Sequence, residues 1–192
     1  MDSKLLVETY EDWKRGAYSF CPKCGGGLGR RALKPSEPTR LVCDACGFEF
    51  FLDPKVAVGT IISLDGRILL LKRGIEPGYG KWVFPGGFVD RGERVEEAAA
   101  RETREETNLD IRVRRLLNIY SYPDHPVIII VYVGDVVGGH PSAGDETLQV
   151  DTFEPHTIPW NELAFPSTTH ALHDYLSFIH ADRANSLLPP VR

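Results

Sequence analysis

The sequence has no long apolar segment and no excess of positive charge. Its longest apolar run, Val127 to Val133, holds seven residues, well short of the roughly 20 that a membrane-spanning helix requires. The opening Met-Asp-Ser-Lys is polar and does not resemble the start of a secretory signal. A formal net charge of −5 argues against the basic face that general nucleic-acid binding needs. We therefore expect neither a membrane nor a nucleic acid as partner.

Cysteine is also scarce, with four residues in a chain of 192. They have the spacing C-x2-C-x18-C-x2-C and are Cys21, Cys24, Cys43 and Cys46. This spacing predicts one tetrahedral zinc ion, and four sulfur ligands leave no open position, so the zinc should be structural. Reduced unligated thiols, or redox-active pairs, are the alternative. Either use of cysteine is typical of a reducing compartment, so we expect a cytoplasmic protein.

Two features surround the cysteines. Gly25 and Gly47 each follow the second cysteine of a pair, where glycine permits a tight turn whose backbone amides face the sulfurs. The segment between the pairs contains several basic residues, namely Arg30, Arg31, Lys34 and Arg40. We interpret them as a solvated loop rather than a nucleic-acid contact, because the whole chain is acidic.

The remaining composition is that of a globular protein, with 42% hydrophobic and 26% charged residues. Residues 1–52 contain all the cysteines and are too few to bury a core of their own. We interpret them as a lead-in and a small zinc ribbon, followed by a main domain over residues 53–192. Predicted strands and helices interleave in that domain, so the fold class is α/β.

The apolar patterns predict the elements individually. The predicted strands cover residues 56–62, 67–71, 82–84, 111–120, 127–136 and 147–153. A turn at Asp65-Gly66 joins the first two strands. Helices are predicted at Lys4 to Trp13, Glu93 to Thr107, and about Thr168 to Ala181. Ser167 or Thr168 could cap the last of these.

The strongest functional signal is a helix with three acids on one face. Glu102, Glu105 and Glu106 stand at i, i+3 and i+4, on the same side as the alanines at the helix centre. Acids on a half-buried face are unfavourable unless they are paired or bind a metal. A salt-bridge network with Arg101 and Arg104 is one explanation. The other is a hard divalent cation, and all-oxygen ligands suit magnesium or manganese.

The segment from Gly87 to Leu109 resembles the Nudix box, G-x5-E-x7-R-E-U-x-E-E-x-G-U, where U is a bulky apolar residue. The matching residues are Gly87, Glu93, Arg101, Glu102, Glu105, Glu106 and Leu109. Two positions depart from the box. Thr103 occupies an apolar position and should cost a little packing, and Asn108 replaces the last glycine. Asparagine tolerates the left-handed conformation at a helix end, so the C-cap should be preserved.

The resemblance implies a Nudix-type α/β/α sandwich with a mixed sheet, which hydrolyses a diphosphate linkage with water. Mg²⁺ or Mn²⁺ would be held by the carboxylates of Glu102, Glu105 and Glu106 and by the backbone carbonyl of Gly87. One of these acids would help to activate the water. Glu93 and Arg101 would pair and orient the cluster. In this family a further acid often comes from a later loop, and Glu146 is the candidate, with a solvated loop acid as the alternative.

Outside the box the chain is similar to the Nudix subgroup that carries an N-terminal zinc ribbon, which includes enzymes acting on ADP-ribose and FAD. NADH pyrophosphatases of the family carry Ser-Gln-Pro-Trp ahead of a Phe-Pro element. Here Glu162-Leu163-Ala164 precedes Phe165-Pro166, which argues against NADH. Candidate substrate contacts are Arg73 for a phosphate, and Trp82 and Phe84 for stacking on an adenine or flavin ring. A strand-end arginine and ordinary core aromatics are the alternatives.

Three functional hypotheses follow. The first is an enzyme that splits a nucleoside-diphosphate derivative, ADP-ribose or FAD first and NADH or NAD as the alternative, into two monophosphates. The second is a non-catalytic nucleotide sensor, which has no need of the complete acid set. The third makes the zinc ribbon the working module and leaves the helix acids unexplained. Since function is argued from the site, we favour the enzyme, with a nucleotide derivative as its small-molecule partner and a homodimer as the expected assembly.

Overall fold

The computed structural model describes residues 18–36 and 39–186, with backbone alone for residues 181–186. The predicted helix from Lys4 to Trp13 lies outside these residues. The chain divides into two compact units. One contains the N-terminal segment up to Pro54 together with Tyr122–Pro126, and the other contains Lys55–Ser121 and the chain from Val127 onward.

The N-terminal unit contains a small antiparallel sheet of three strands in the order β1-β2-β3. The strands are β1 (Leu28–Arg31), β2 (Arg40–Cys43) and β3 (Glu49–Phe50). Three of the four basic residues predicted to lie in a loop are therefore on strands, since Arg30 and Arg31 end β1 and Arg40 begins β2. The sheet brings the two cysteine pairs, which are distant in sequence, to one end.

The second unit is built on a mixed sheet of seven strands. They are β4 (Lys55–Leu64), β5 (Arg67–Arg73), β6 (Trp82–Val83), β7 (Gly86–Phe88), β8 (Leu109–Tyr120), β9 (Val127–Gly139) and β10 (Thr147–Phe153). The main order is β10-β5-β4-β9-β8, with β6 paired to β5 and β7 to β4. Among the strand pairs in the described residues, β4 and β9 alone run parallel. The predicted α/β class and mixed sheet are confirmed, while β7 was not predicted.

Two helices accompany this sheet: α1 (Val95–Thr107) and α2 (Pro166–Ser186). Helix α1 begins two residues later than predicted, at Val95 instead of Glu93. The predicted cap of α2 is wrong, because Ser167 and Thr168 lie inside its first turn. Proline is well suited to that first position, since its missing amide would have no partner there.

Helix α1 is held on the sheet by its small residues. Ala98 and Ala99 are buried against Val58 of β4 and Tyr132 of β9. Alanine allows a close approach between helix and sheet, so the acids that follow along the same face are carried close to the strands. Strand β7 pairs with the start of β4 and lies beside the same helix face. The fold therefore places the Nudix-box loop and the acids of α1 together.

Candidate active site

Helix α1 keeps its polar core residues satisfied. Thr103 is fully buried, and its hydroxyl donates to the carbonyl of Ala99 at 2.8 Å. The hydroxyl of Thr107 donates in the same way to the carbonyl of Thr103 at 2.6 Å. Threonine at the apolar position of the box therefore leaves no buried donor without a partner. The buried threonines that lie next to the acids on this helix are therefore both hydrogen-bonded.

Arg101 is the centre of the ionic network on α1. Its guanidinium donates to both carboxylate oxygens of Glu93, at 2.8 and 2.9 Å. It also donates to Glu102 at 2.7 Å, to Glu105 at 3.2 Å, and to the carbonyl of Phe88 at 3.1 Å. The planar fork of arginine suits such a set of acceptors. The pairing of Glu93 with Arg101 is thus present, and Arg101 ties the helix to the loop before it.

The ionisation of these groups follows from their surroundings. Hydrogen bonding from Arg101 is the main reason that the pKa of Glu93 is lowered to about 2, and the same bond raises the pKa of Arg101. Burial raises the pKa of Glu102. Burial also raises the pKa of Glu106 to about 7, although the amide of Gly86 donates to it. Ionisation of Glu102 and Glu106 is therefore unfavourable unless a cation binds to them.

The lowered pKa of Glu93 predicts an acid-dependent loss of stability. Its folded pKa of about 2 lies below the ordinary 4.5, so its ionised form stabilises the fold above about pH 4.5 and this contribution is lost as the pH falls towards 2. We expect the Tm of the metal-free wild type to fall more steeply over this range than that of Glu93→Gln. The exposed Glu97 supplies the control, because Glu97→Gln should keep the wild-type slope. Parallel wild-type and Glu93→Gln profiles would rule out the ion pair as a stabilising contact.

The glycines of β7 let the loop approach the helix acids. The amide of Gly86 donates to Glu106 at 2.7 Å. At Gly87, a Cβ atom would collide with the carboxylate of Glu102. A side chain at position 87 would therefore require the carboxylate of Glu102, which Arg101 holds at 2.7 Å, to move. The contact agrees with the predicted closeness of Gly87 to the cluster.

The charges of Arg73 and Glu146 both interact with that of Glu106. The Arg73 guanidinium is half-buried, which lowers its pKa, and its charge interacts with those of Glu106, Glu146 and Glu76. Its Nε donates to the carbonyl of Pro77 at 2.8 Å, and the ring of Phe165 lies 5.1 Å from its guanidinium carbon. Both predicted residues are therefore brought into the electrostatic surroundings of the helix acids.

The two aromatic residues that were predicted to stack on the substrate are buried. Trp82 and Phe84 are only 6% and 4% exposed, with Trp82 packed edge-on to Phe153. This burial agrees with the alternative, that both rings pack in the core. Stacking of either ring on a substrate stays an untested prediction, and burial disfavours it. Tyr79, which the sequence analysis did not single out, is 58% exposed in the loop that follows Arg73. Its neighbouring glycines at 78 and 80 were the available signal of a tightly turned loop.

The donor set at α1 fits a hard divalent cation. The carboxylates of Glu102 and Glu106 meet the glycine loop, and Glu105 lies on the same helix face. Burial disfavours the charge on Glu102 and Glu106, which a cation would offset. In the described residues, 18–36 and 39–186, the four cysteines are the only group of three or more His, Cys, Asp or Glu ligand atoms that already meet within one metal-sized space. Glu102, Glu105 and Glu106 are instead held by Arg101 and by the amide of Gly86.

The cysteine sulfurs form a closed cluster. All four Sγ atoms lie within 4.8 Å of one another, a separation that a single tetrahedral zinc ion can bridge. The turns are as predicted: Gly25 and Gly47 have φ of 76° and 69°. The amides of Gly26 and Cys46 point at the sulfurs of Cys24 and Cys43, each at 3.5 Å. This geometry supports a structural zinc site.

The mixed sheet thus carries an acidic helix beside a glycine loop. The NUDIX domain model matches residues 53–175, and the model of the Nudix N-terminal zinc ribbon matches residues 19–49. The chain belongs to the Nudix family of hydrolases, in the form that carries a zinc ribbon. No helix in the described part of the chain is long and apolar enough to cross a membrane.

Known relatives agree with this assignment. An ADP-ribose pyrophosphatase of Methanocaldococcus jannaschii is 45% identical over 122 residues, which is 62% of this chain and 71% of the relative. An NAD-capped RNA hydrolase of Stutzerimonas stutzeri is 28% identical over 64% of this chain but only 42% of its own length. A NUDIX hydrolase from Nitrosomonas europaea, known from its crystal structure, is 34% identical in sequence. The match covers 85% of this chain and 93% of that chain, and the two structures superpose with a TM-score of 0.81.

Proposed function

We propose that the chain hydrolyses the diphosphate linkage of a nucleoside-diphosphate derivative, with ADP-ribose or FAD as the first candidates. The observation that supports this most strongly is the cluster of Glu102, Glu105 and Glu106 beside the glycine loop, with the charges of Arg73 and Glu146 near enough to interact with that of Glu106. The identity of 45% over 122 residues with an ADP-ribose pyrophosphatase directs the choice of substrate. The complete acid set favours an enzyme over a nucleotide sensor.

The residues divide into distinct roles in this proposal. Mg²⁺ or Mn²⁺, held by the three glutamates of α1 and the carbonyl of Gly87, would polarise the phosphoryl oxygens and lower the pKa of the attacking water. Arg101, with Glu93, keeps Glu102 and Glu105 oriented towards the loop. Glu106, and Glu146 beside it, are the candidates to accept a proton from the water. Arg73 offers a fixed positive charge to a substrate phosphate.

The base of the substrate needs an aromatic surface that solvent can reach, and Tyr79 supplies one. The loop that carries it is firmly held. The Glu76 carboxylate accepts the amide of Gly78 at 2.8 Å, and the amide of Gly80 donates to the carbonyl of Arg73 at 2.8 Å. Tyr79 is therefore presented from a rigid turn that begins at the proposed phosphate contact. We propose it, in place of the buried Trp82, as the residue that stacks on an adenine or flavin ring.

The substrate choice predicts a rank order of kcat/KM. ADP-ribose or FAD should exceed NADH, because the Ser-Gln-Pro-Trp signature associated with NADH is missing here. Each compound is assayed with Mg²⁺ and with Mn²⁺, and the two monophosphate products are quantified. In the same assay Tyr79→Ala should raise KM by about tenfold, the loss expected when a stacking contact worth roughly 1–1.5 kcal/mol is removed, while Tyr79→Phe should resemble the wild type.

Three results would overturn parts of this proposal. Preference for NADH would make the chain functionally similar to the NAD-directed relatives despite the missing signature. Turnover of none of the compounds, together with tight nucleotide binding, would favour the sensor. An unchanged KM in Tyr79→Ala would remove Tyr79 from the substrate site and leave the rest of the proposal standing.

The same proposal includes the domain division, the assembly and the location of the protein. We place the division of the chain between a lead-in with a zinc ribbon over residues 1–52 and a hydrolase domain over residues 53–192. A homodimer and a cytoplasmic location complete it. The location is supported by four cysteines that form a thiol cluster without disulfides, a state favoured in a reducing compartment.

A further inference from the structure

The C-terminus of α1 departs from the Nudix box at Asn108, and the structure shows what this residue contacts. Asn108 has φ 56° and ψ 27°, the left-handed conformation, and its amide donates to the carbonyl of Arg104 at 2.9 Å. The predicted C-cap is therefore confirmed. Glycine would serve the backbone equally well or better. What distinguishes asparagine from glycine at this position is the side-chain amide, which donates to the carbonyl of His140 at 3.2 Å.

His140 begins the loop that leads to Glu146, and this loop caps the helix. The last carbonyls of an α-helix have no partner within the helix. Here the amide of Ser142 donates to the carbonyl of Thr107 at 3.0 Å, and the amide of Gly144 donates to the carbonyl of Glu106 at 3.1 Å. The loop of residues 140–146, called the capping loop below, thus satisfies the end of the helix that carries the acids.

Gly144 makes this contact possible. A Cβ atom at position 144 would collide with the carbonyl oxygen of Glu105 and lie 3.2 Å from the Cα of Glu106. These are backbone atoms of a helix and cannot move aside cheaply. The capping loop therefore meets α1 directly beneath two of the three acids, at a distance that only glycine permits.

The far end of the capping loop is fixed as well. The carbonyl of Glu146 accepts the amide of Gly74 at 2.7 Å, next to Arg73 on β5. Glu146 is consequently held between two anchors: the end of α1 on one side and the end of β5 on the other. Its charge then interacts with those of Glu106 and Arg73. A loop acid joined to the helix by these bonds keeps a set position relative to the helix acids.

We propose that Asn108 is a positioning residue, whose side-chain amide anchors the capping loop so that Glu146 stays beside Glu106. This inference rests on the proposed function for its effect on turnover. The anchoring itself rests on the hydrogen bonds alone. A departure from the family pattern is thereby given a role that the glycine of the box cannot perform, since glycine has no side-chain donor.

The test uses Asn108→Gly, which restores the box residue and keeps the left-handed turn while removing the donor. Hydrogen exchange measured by mass spectrometry should become about fivefold faster in peptides covering residues 140–147, the change expected when one hydrogen bond of ordinary net strength is lost. Exchange in α1 and the Tm should stay close to the wild type. With the best substrate of the panel, kcat should fall by about tenfold at nearly constant KM, because a displaced catalytic group lowers turnover more than binding.

A second pair of variants tests the loop contact independently. Gly144→Ala should accelerate exchange in the same peptides and lower kcat further, because the methyl group would collide with the backbone of α1. Gly138→Ala is the matched control, since a Cβ atom there would lie 3.2 Å from the flexible carboxylate of Asp110 and no closer to any other group. Its exchange and turnover should resemble the wild type.

The outcomes separate this inference from the proposed function. Wild-type exchange in Asn108→Gly would overturn the anchoring. Faster exchange with unchanged turnover would overturn the positioning of Glu146 and leave the anchor as a structural contact only. A wild type without any hydrolase activity would refute the proposed function, and the exchange comparison would still decide whether Asn108 anchors the loop.

Discussion

Glu106→Gln should lower kcat by roughly 10²–10⁴-fold, the range expected when a positioned acid–base group is lost. Glutamine has nearly the same shape as glutamate and can still accept the 2.7 Å hydrogen bond from the Gly86 amide. The substitution therefore removes the charge and the proton-accepting oxygen while leaving the packing in place. We expect KM to change little, because Arg73 and Tyr79 make the proposed substrate contacts. Steady-state kinetics with the best substrate of the panel measures both constants.

Glu97→Gln is the matched control for this prediction. Glu97 lies in the first turn of the same helix, and it is exposed. The control should keep wild-type kcat and KM. If Glu106→Gln retained more than a tenth of wild-type turnover with an unchanged Tm, Glu106 would have no part in the chemistry.

Cys43→Ser should remove the zinc from the ribbon and unfold it. Cys43 is one of the two buried sulfurs of the cluster, and serine does not replace a thiolate as a zinc ligand. Structural zinc contributes about 10–16 kcal/mol to the folding of comparable small peptides, so a short segment without a core should not stay ordered when a ligand is lost. We expect one zinc per chain in the wild type and none in the variant. Amide exchange over residues 18–54 should accelerate by several orders of magnitude.

Asp44→Asn supplies the control for the zinc prediction. Asp44 follows Cys43 directly, is exposed, and pairs with Arg31 on the surface. Its substitution should leave the zinc content unchanged. A wild type without zinc, or a Cys43→Ser variant with native protection in the ribbon, would instead support unligated thiols.

Most of the elements could be predicted from the sequence because local patterns decide them. The strands β8 and β9 are long and apolar enough to be recognised, and α1 follows from its alanines and its acids. Asn108 was predicted to end α1 in the left-handed conformation from its known backbone preference, and it does. The family assignment rested on spacing within the same segment. These features depend on neighbours close in the chain.

Prediction was incomplete where contacts between distant segments decide the outcome. Strand β7 is only three residues long and contains two glycines, so it is formed by pairing with β4 and not by its own propensity. Trp82 and Phe84 lie beside the glycine loop in sequence, yet Trp82 packs against Phe153 and the ring of Phe84 lies at Gly59. Tyr79 is exposed in an irregular loop, which no periodic pattern signals. The contact of Asn108 with His140 spans 32 residues and required the folded chain.

One measurement tests the central claim most directly: phosphorus NMR of ADP-ribose incubated with the purified protein, with Mg²⁺ or Mn²⁺ present and with both removed by chelation. We predict conversion of the diphosphate signal into the signals of AMP and ribose 5-phosphate with a divalent ion, and no conversion without one. FAD is tested in parallel and should give AMP and FMN if it is the better substrate. Persistence of both diphosphates in the presence of either ion, or equal turnover after chelation, would contradict a metal-dependent hydrolase at the acids of α1.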